Sequence, residues 1–495
     1  MPELPVNSTS PQVTPPFRPA AGRTAFCERH YRWLALITLA IAALNLGYRL
    51  DREIVTTWDE SLYATSAAEM VKSGDWLVTT FHGDVDYYNT KPPLNVWLIA
   101  SSFKLFGINL WALRLPSFLA AFATIAVVQT WCRRVLNATT AILATLVLST
   151  TFGFLYVHSA RSGNPDAWLA LDILLTVITL WSAMASPWRL VWFGPLAAVA
   201  FLLKGMAVLL PLSIVAAALL LWRVPRRMLA PLVTAAALFV VPTGAWAVAR
   251  WRFDRWRFFD GLFNYDFVAL VSRPLEGHSH SWLFYLNILQ KDHYDWLVTA
   301  VVLLLVMILA RRDRHPLRIP GSRDVRLLFG AWAGATLIIP TLMATKVAWY
   351  LNPFYPLFAI LVAVIIATGL DAFSMPTHRR EQFVIATIVL LAFGVAEGKL
   401  VWYSYNQRDL AGSMQGFLLD SPEMLMGRRV LLEQWDPADH FVLTHLVHGL
   451  PVTGNPRQIA ADADEHDLLI LMPAQDGSWV LSNARDVLPS SDPAR

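Results

Sequence analysis

Apolar runs of roughly 17–21 residues, each about the length a helix needs to cross a bilayer, recur between residues 33 and 400. That recurrence makes the chain a polytopic membrane protein. Composition agrees: 56% of the 495 residues are hydrophobic and 15% are charged, against about 25% charged in a soluble domain. The 21 Trp and 26 Phe suit interfacial belts as well as packed interiors. The fold class expected is all-α and polytopic, with about eleven or more transmembrane helices plus juxtamembrane helices, and a small C-terminal α/β domain outside the membrane.

The expected spans are 33–50, 114–131, 137–157, 167–183, 189–203, 206–222, 228–247, 296–310, 327–343, 349–369 and 382–400. Their number is odd, so the two termini fall on opposite sides. Lys/Arg bias puts the N-terminus inside: Arg133-Arg134, Arg223/Arg226/Arg227, the Arg-rich 311–326 segment and Arg379-Arg380 then share the cytoplasmic face. The run LNVWLIASSFKLFG at 94–107 is short and carries Lys104, so it reads as interfacial or re-entrant. Counting it as a span would turn the later basic loops outward. RWRFDRWRFF at 250–259 lies outside and reads as an interfacial helix touching headgroups.

Residues 1–32 are Pro-rich and polar and read as a disordered cytoplasmic tail. Residues 33–402 form the transmembrane core, with a first outside loop at 51–113. Residues 403–495 are polar with short strand-like runs, VLLEQ (430–434) and DLLILMP (467–473), and read as a periplasmic α/β domain. Cys27 and Cys132 both fall inside, which argues against a disulfide. The net charge of +4 points to cytoplasmic loops and anionic headgroups, with no nucleic-acid partner.

Polar residues from distant parts of the chain collect on the outer face in this topology. They are Asp59, Glu60, Lys91, Arg161, Asp166, Lys204, Glu276, His278, Lys346 and Tyr350. Ionisable groups near a bilayer are costly unless paired or functional. Thr57-x-x-Glu60 has the spacing of a capping box, ahead of a helix ending near Gly74; Asp59 and Glu60 either stabilise that helix start or present a carboxylate for proton transfer or metal binding. Lys91, Lys204 and Lys346 are either snorkelling lysines or phosphate contacts, and three on one face with Arg161 favour a phosphate site. Arg161–Asp166 is a polar turn between two spans, and Asp166 reads as a helix-capping residue. Glu276-Gly-His278-Ser-His280 has weak metal spacing and reads as solvated more readily than as a metal site. His440, His445 and His448 read as structural, and Asp462–Asp467 as a solvated acidic turn.

Taken in order, these residues resemble a known superfamily. The pattern runs from Asp59-Glu60 with Tyr63, through KPPL (Lys91–Leu94), ALRLPS (Ala112–Ser117), Arg161…Asp166 and LLKG (Leu202–Gly205), to EGH (Glu276–His278) and TKxxxYLxPxYP (Thr345–Pro356). It is similar to the integral-membrane glycosyltransferases that use polyprenyl-phosphate sugars, the GT-C superfamily of protein O-mannosyltransferases and lipid A aminoarabinose transferases. Thr90 stands where the aminoarabinose enzymes commonly carry Glu. The resemblance implies inverting transfer of a sugar from a lipid-phosphate donor at the outer face of a bacterial inner membrane. It implies Asp59 as catalytic base or acceptor-orienting carboxylate, Asp166 as a second acid, and Lys91, Lys204, Lys346 and Tyr350 around the donor phosphate. The acceptor (a lipid A-type glycolipid, another glycan or a protein), the oligomeric state and any need for a divalent metal stay open. The alternative is a lipid or sugar transporter or flippase, which would bind near the bilayer midplane and is often built from inverted repeats. No such repeat is visible, and the charges lie at one face.

Overall fold

The computed structural model of the chain describes residues 24–222, 226–310, 323–372, 379–432, 435–452, 468–473 and 479–483. The 462–467 turn therefore lies outside the described residues.

Helix α1 (Thr24–Gly47) leads to a juxtamembrane segment containing α2 (Asp59–Ser73), the hairpin β1 (Thr80–Phe81) and β2 (Asp84–Val85), and α3 (Leu94–Phe106). There follow α4 (Leu110–Val135), α5 (Ala138–Ser149), α6 (Phe152–Tyr156), α7 (Asp166–Ala183), α8 (Phe193–Lys204), α9 (Leu209–Trp222), α10 (Leu229–Asp254) and α11 (Arg257–Phe263). Beyond them the principal helices are Phe284–Asp292, Tyr294–Ala310, Arg323–Ala333, Tyr355–Ala372 and Arg379–Asn406.

Seven helical stretches among the described residues are long and apolar enough to cross a membrane: Leu110–Val135, Asp166–Ala183, Pro187–Trp222, Leu229–Asp254, Arg323–Leu342, Ala348–Asp371 and Arg380–Asn406. Shorter apolar helices are Leu94–Phe106, Ala138–Ser149 and Tyr294–Ile308. Each of the expected spans coincides with a helix or a pair of helices. The Pro187–Trp222 stretch covers two of them, because the chain breaks at Gly205, whose φ of +51° admits few residues but glycine.

The sequence boundaries differ from the structure in three places. The first helix starts at Thr24, so residues 24–32 are helical rather than part of a disordered tail. Glu28 explains this: it pairs with Arg133 at 2.5 Å and accepts the Ala138 N–H, tying α1 to the α4–α5 turn. The 250–259 run is divided, since α10 continues to Asp254 with Arg250 paired to Asp254 at 2.6 Å, four residues along the helix. Arg255 then turns the chain at φ 58°, and only α11 is a separate short helix. The core-to-domain boundary also moves outward, as the last long helix runs to Asn406.

Helix ends follow local chemistry. Asn109 caps α4 by accepting the Ala112 N–H, and Asn137 caps α5 through Thr140. α2 stops at Gly74, which takes the left-handed conformation and returns its N–H to Met70. Within the bundle, α5 packs against α1, α4 and the Tyr355–Ala372 helix, around a core that includes Ala42, Val128, Leu148, Ile173 and Ile360.

The C-terminal unit holds a four-stranded sheet of order β4-β3-β5-β6: β3 (Arg429–Leu431) lies parallel to β4 (Leu450–Val452) and β5 (Leu468–Pro473), and β6 (Trp479–Asn483) lies antiparallel to β5. This unit shares one apolar core with the first loop. Leu418, Val430, Phe441 and Leu443 pack together with Val55, Tyr63, Val96 and Phe103.

Candidate active site

α2 starts where the first loop meets the bundle. Its first residue, Asp59, points a carboxylate toward the Lys204 end of α8. The backbone enters through Trp58 at φ 66°, a conformation that costs a bulky residue free energy and is held only by its surroundings. Opposite, His158 also sits at positive φ (50°), with Nδ1 at 3.6 Å from Asp59 Oδ2. The His158 ring stacks on Trp349 at 3.9 Å with an interplanar angle of 12°.

Two lysines complete the cluster. Lys204, the last residue of α8, lies 2.7 Å from Asp166, the first residue of α7, and 5.8 Å over the Tyr350 ring. Its placement follows from the Gly205 break. Lys91 donates to Asn89 Oδ1 at 3.1 Å and lies 5.9 Å from the Tyr63 ring centre. Beside it, the Thr90 hydroxyl donates to Asp266 at 3.0 Å. A carboxylate therefore stands next to position 90, supplied from the distant helical stretch Asn264–Ala269.

The electrostatics bind these groups together. Burial pushes the Asp59 carboxyl up, but Lys91, then His158 and Lys204, outweigh it and hold the group below the usual range. Burial pushes Lys91 down, yet Tyr63, Asp59, Asp266 and Tyr350 together raise it well above the ordinary lysine value. Asp266 is raised, chiefly by burial, with Lys91 opposing. His158 is lowered by burial against the pull of Asp59. At neutral pH the site thus carries an ionised Asp59, a neutral His158 imidazole and a protonated Lys91. The lysines keep donor capacity for an oxyanion.

Not every expected residue joins this cluster. Glu60 is fully buried and bonded to Arg114 at 2.8 Å, to the Thr56 N–H and hydroxyl at 2.8 Å each, and to the Gly163 N–H at 3.0 Å. Burial raises its pKa, but Arg114 and Arg408 bring it down to about 2. The capping box is therefore not formed: Thr56, not Thr57, meets Glu60, and that carboxylate serves an ion-pair core instead of the helix start. Arg161 belongs to the same core. It pairs with Glu53 at 2.6 Å and spends its other donors on the carbonyls of Asn45, Leu46 and Tyr48. These two residues are occupied in architecture and are not carried into the site.

Lys346 donates to Met343 O at 2.7 Å and lies over the Trp282 ring, away from the carboxylate cluster. Glu276 sits at the rim and accepts from Tyr265 at 2.7 Å and Tyr88 at 3.1 Å. His278 meets Trp349 edge-on at 6.2 Å, so the EGH loop touches the site through that indole. Among the described residues, no group of three or more His, Cys, Asp or Glu is placed to hold a metal ion. Sequence reading missed His158, Asp266 and Trp349. His158 carried one faint signal, a polar residue at the outer end of an apolar run.

Comparison with known proteins places this geometry. A search of solved structures finds ArnT from Cupriavidus metallidurans bound to undecaprenyl phosphate, at TM-score 0.68 and 18% identity, over 91% of this chain and 97% of that one. The chain has the ArnT fold. An oligosaccharyltransferase from Archaeoglobus fulgidus matches at TM-score 0.52 and 11% identity, over 94% of this chain and 76% of that one. Residues 90–246 match the family model for Dolichyl-phosphate-mannose-protein mannosyltransferase. That segment holds Lys91, His158, Asp166 and Lys204. In sequence, the chain is 30% identical to the undecaprenyl phosphate-alpha-4-amino-4-deoxy-L-arabinose arabinosyl transferase of Pseudomonas aeruginosa (strain LESB58), over 52% of this chain and 48% of the relative. The same-named protein of Pseudomonas savastanoi pv. phaseolicola is 29% identical over 51% and 48%. The chain thus spans about half the length of the curated relatives it matches. The GT-C resemblance read from the motifs is borne out by the ArnT fold and by this matched segment.

Proposed function

We propose that the protein is an inner-membrane glycosyltransferase that moves a sugar from a polyprenyl-phosphate donor to an acceptor hydroxyl or amine at the outer face. The observation that supports it most is the meeting of Asp59 with Lys91 and Lys204 at the outer ends of apolar helices. A lipid carrier keeps its tail in the bilayer and brings its phosphate to that depth.

The chemistry follows from the charges. The bond between the sugar's anomeric carbon and the phosphate oxygen breaks, and its electron pair leaves on the phosphate. Lys91 and Lys204 stabilise that developing charge, so the leaving group needs no proton. The acceptor attacks from the opposite side, giving inversion. Asp59 accepts the acceptor's hydrogen bond and takes its proton as the new bond forms. Its lowered pKa makes it a weak base in the ground state, so orientation is a large part of its task. Asp166, 2.7 Å from Lys204, fixes the position of its ammonium group.

In this reading the N-terminus is cytoplasmic and the C-terminal unit periplasmic. The donor named in the Pseudomonas relatives, an undecaprenyl phosphate aminoarabinose, is the first to assay. Reconstituted protein given that donor and extracted envelope glycolipid should yield sugar-modified product, and Asp59→Asn should lower turnover at least a hundredfold while leaving donor binding within a few-fold. Normal transfer by a folded Asp59→Asn protein would remove the role given to Asp59.

A further inference from the structure

A group of aromatic rings leads outward from Asp59. Trp58, its chain neighbour, has its ring 6.0 Å from Tyr88 and 6.0 Å from Trp435. Phe81 meets Trp435 edge-on at 6.3 Å. Trp58, Tyr88 and Trp435 are 51%, 55% and 44% exposed, too open for packing residues. Yet each is held. Trp58 sits on a positive-φ backbone (φ 66°) between Tyr88 and Trp435, and the Tyr88 hydroxyl donates to Glu276. Trp435 backs onto His440 at 5.9 Å, a buried ring with neither nitrogen bonded to a protein group. His82 adds a second imidazole at 5.0 Å from His440.

We infer that this platform is the acceptor subsite, and that its occupant is a saccharide. The inference rests on the transferase reading above. A pyranose ring presents an apolar C–H face the size of an aromatic ring, edged by hydroxyls. Exposed indole and phenol faces with polar edges fit that shape. An extended peptide would instead use an open strand edge, and an amphipathic helix an apolar groove. The two ends of the site also differ in charge. The lysines stack on Tyr63 and Tyr350 at the donor end, whereas among the described residues no lysine or arginine is recorded over the four platform rings. Trp435 comes from the C-terminal unit and the others from the first loop, so the joint core of those two parts sets the platform. An interfacial belt is the competing use of exposed tryptophans, but a ring set carried by the C-terminal sheet unit and continuous with Asp59 favours the acceptor.

The test is calorimetric titration of the full-length protein in zwitterionic-lipid nanodiscs. The probes are the lipid-free oligosaccharide released by mild acid from the source cell's envelope glycolipids, a Ser/Thr-rich peptide, and undecaprenyl phosphate. Wild-type protein should bind the oligosaccharide in preference to the peptide. Trp435→Ala should weaken oligosaccharide binding roughly three- to tenfold, the range for losing one aromatic contact, with undecaprenyl phosphate affinity unchanged. Trp435→Phe should stay near wild type. Tyr88→Ala supplies a second variant if Trp435→Ala does not fold. Unchanged oligosaccharide affinity in both alanine variants would overturn the inference. So would a preference for the peptide. Wild-type protein that binds undecaprenyl phosphate but no oligosaccharide sinks the platform alone, while failure to bind either sinks the transferase reading with it.

Discussion

Asp59 and Glu60 are adjacent in sequence and opposite in use. One faces a cleft with two ammonium groups and an imidazole around it; the other is sealed among guanidinium groups. Because the Asp59 carboxyl is held below its ordinary range, transfer should persist as pH falls to the ordinary Asp range and fail only below it. A pH profile of initial rates in proteoliposomes reads this directly. A limb that falls above the ordinary Asp range would instead assign the essential group to His158, which burial lowers from the usual histidine value. Lys91→Ala should lower kcat/KM for the donor at least tenfold, because it removes a charge-assisted contact worth roughly 1.5–3 kcal/mol. Five of the expected residues, Asp59, Asp166, Lys91, Lys204 and Tyr350, do meet. They were legible because a charge at the outer end of an apolar run needs a reason. Glu60 and Arg161 satisfied the same criterion for another reason, a buried partner, which sequence position does not reveal.

At the scale of elements, the turn at Lys204-Gly205 places Lys204 beside Asp166 by ending α8. A methyl group on Gly205 would meet Leu262 at 2.6 Å and would have to adopt φ +51°. Gly205→Ala should therefore cost roughly 1–3 kcal/mol of stability and lower activity more than its folding loss explains, since Lys204 must move. Thermal unfolding and initial rates on the same preparation separate the two. The short α3 is the counterpart case. Its length and Lys104 predicted a segment that does not cross, and the structure gives 13 residues packed under α2. Labelling at Asp84→Cys, an exposed hairpin position, should succeed from the periplasmic side once Cys27 and Cys132 are replaced. Labelling from the cytoplasm alone would invert the topology.

At the scale of the whole molecule, a buried ion-pair core ties distant segments together. Glu53 and Glu60 meet Arg114, Arg161 and Arg408, drawn from the first loop, α4, the turn before α7 and the linker to the C-terminal unit. Removing one member leaves a buried charge unpaired, so Arg114→Ala should cost roughly 3–5 kcal/mol. The pH dependence has a definite sign. The Glu60 pKa is lowered to about 2, so its stabilisation is full above the ordinary Glu value and is lost as pH falls toward 2. Asp439 acts oppositely. Burial, reinforced by Asp436, raises it to about 7, so its contribution is full below the ordinary Asp value and is lost as pH rises through 7. Melting temperatures against pH should show an acid-side fall that is reduced in Glu60→Gln and a near-neutral fall that is absent in Asp439→Asn. The shared core of first loop and C-terminal unit adds a further expectation: a chain ended after Asn406 exposes Val96 and Phe103 and should melt well below the full protein.

The helical, membrane-spanning character of this protein is written in the sequence. Run length and charge bias act residue by residue along the chain, and the bilayer demands both. Strand-like runs likewise marked the C-terminal sheet. What only the tertiary structure decided is which charges neutralise one another. His158 reaches the Asp59 cluster from the turn before α7 and Asp266 from the helical stretch Asn264–Ala269, neither marked by a motif, and Glu60 turns away from it toward Arg114. The same holds for the union of the first loop with a unit more than 300 residues later. Coulomb attraction and apolar burial depend on distance in space, and in a chain of short, separated outer segments that distance is set by how the helices pack.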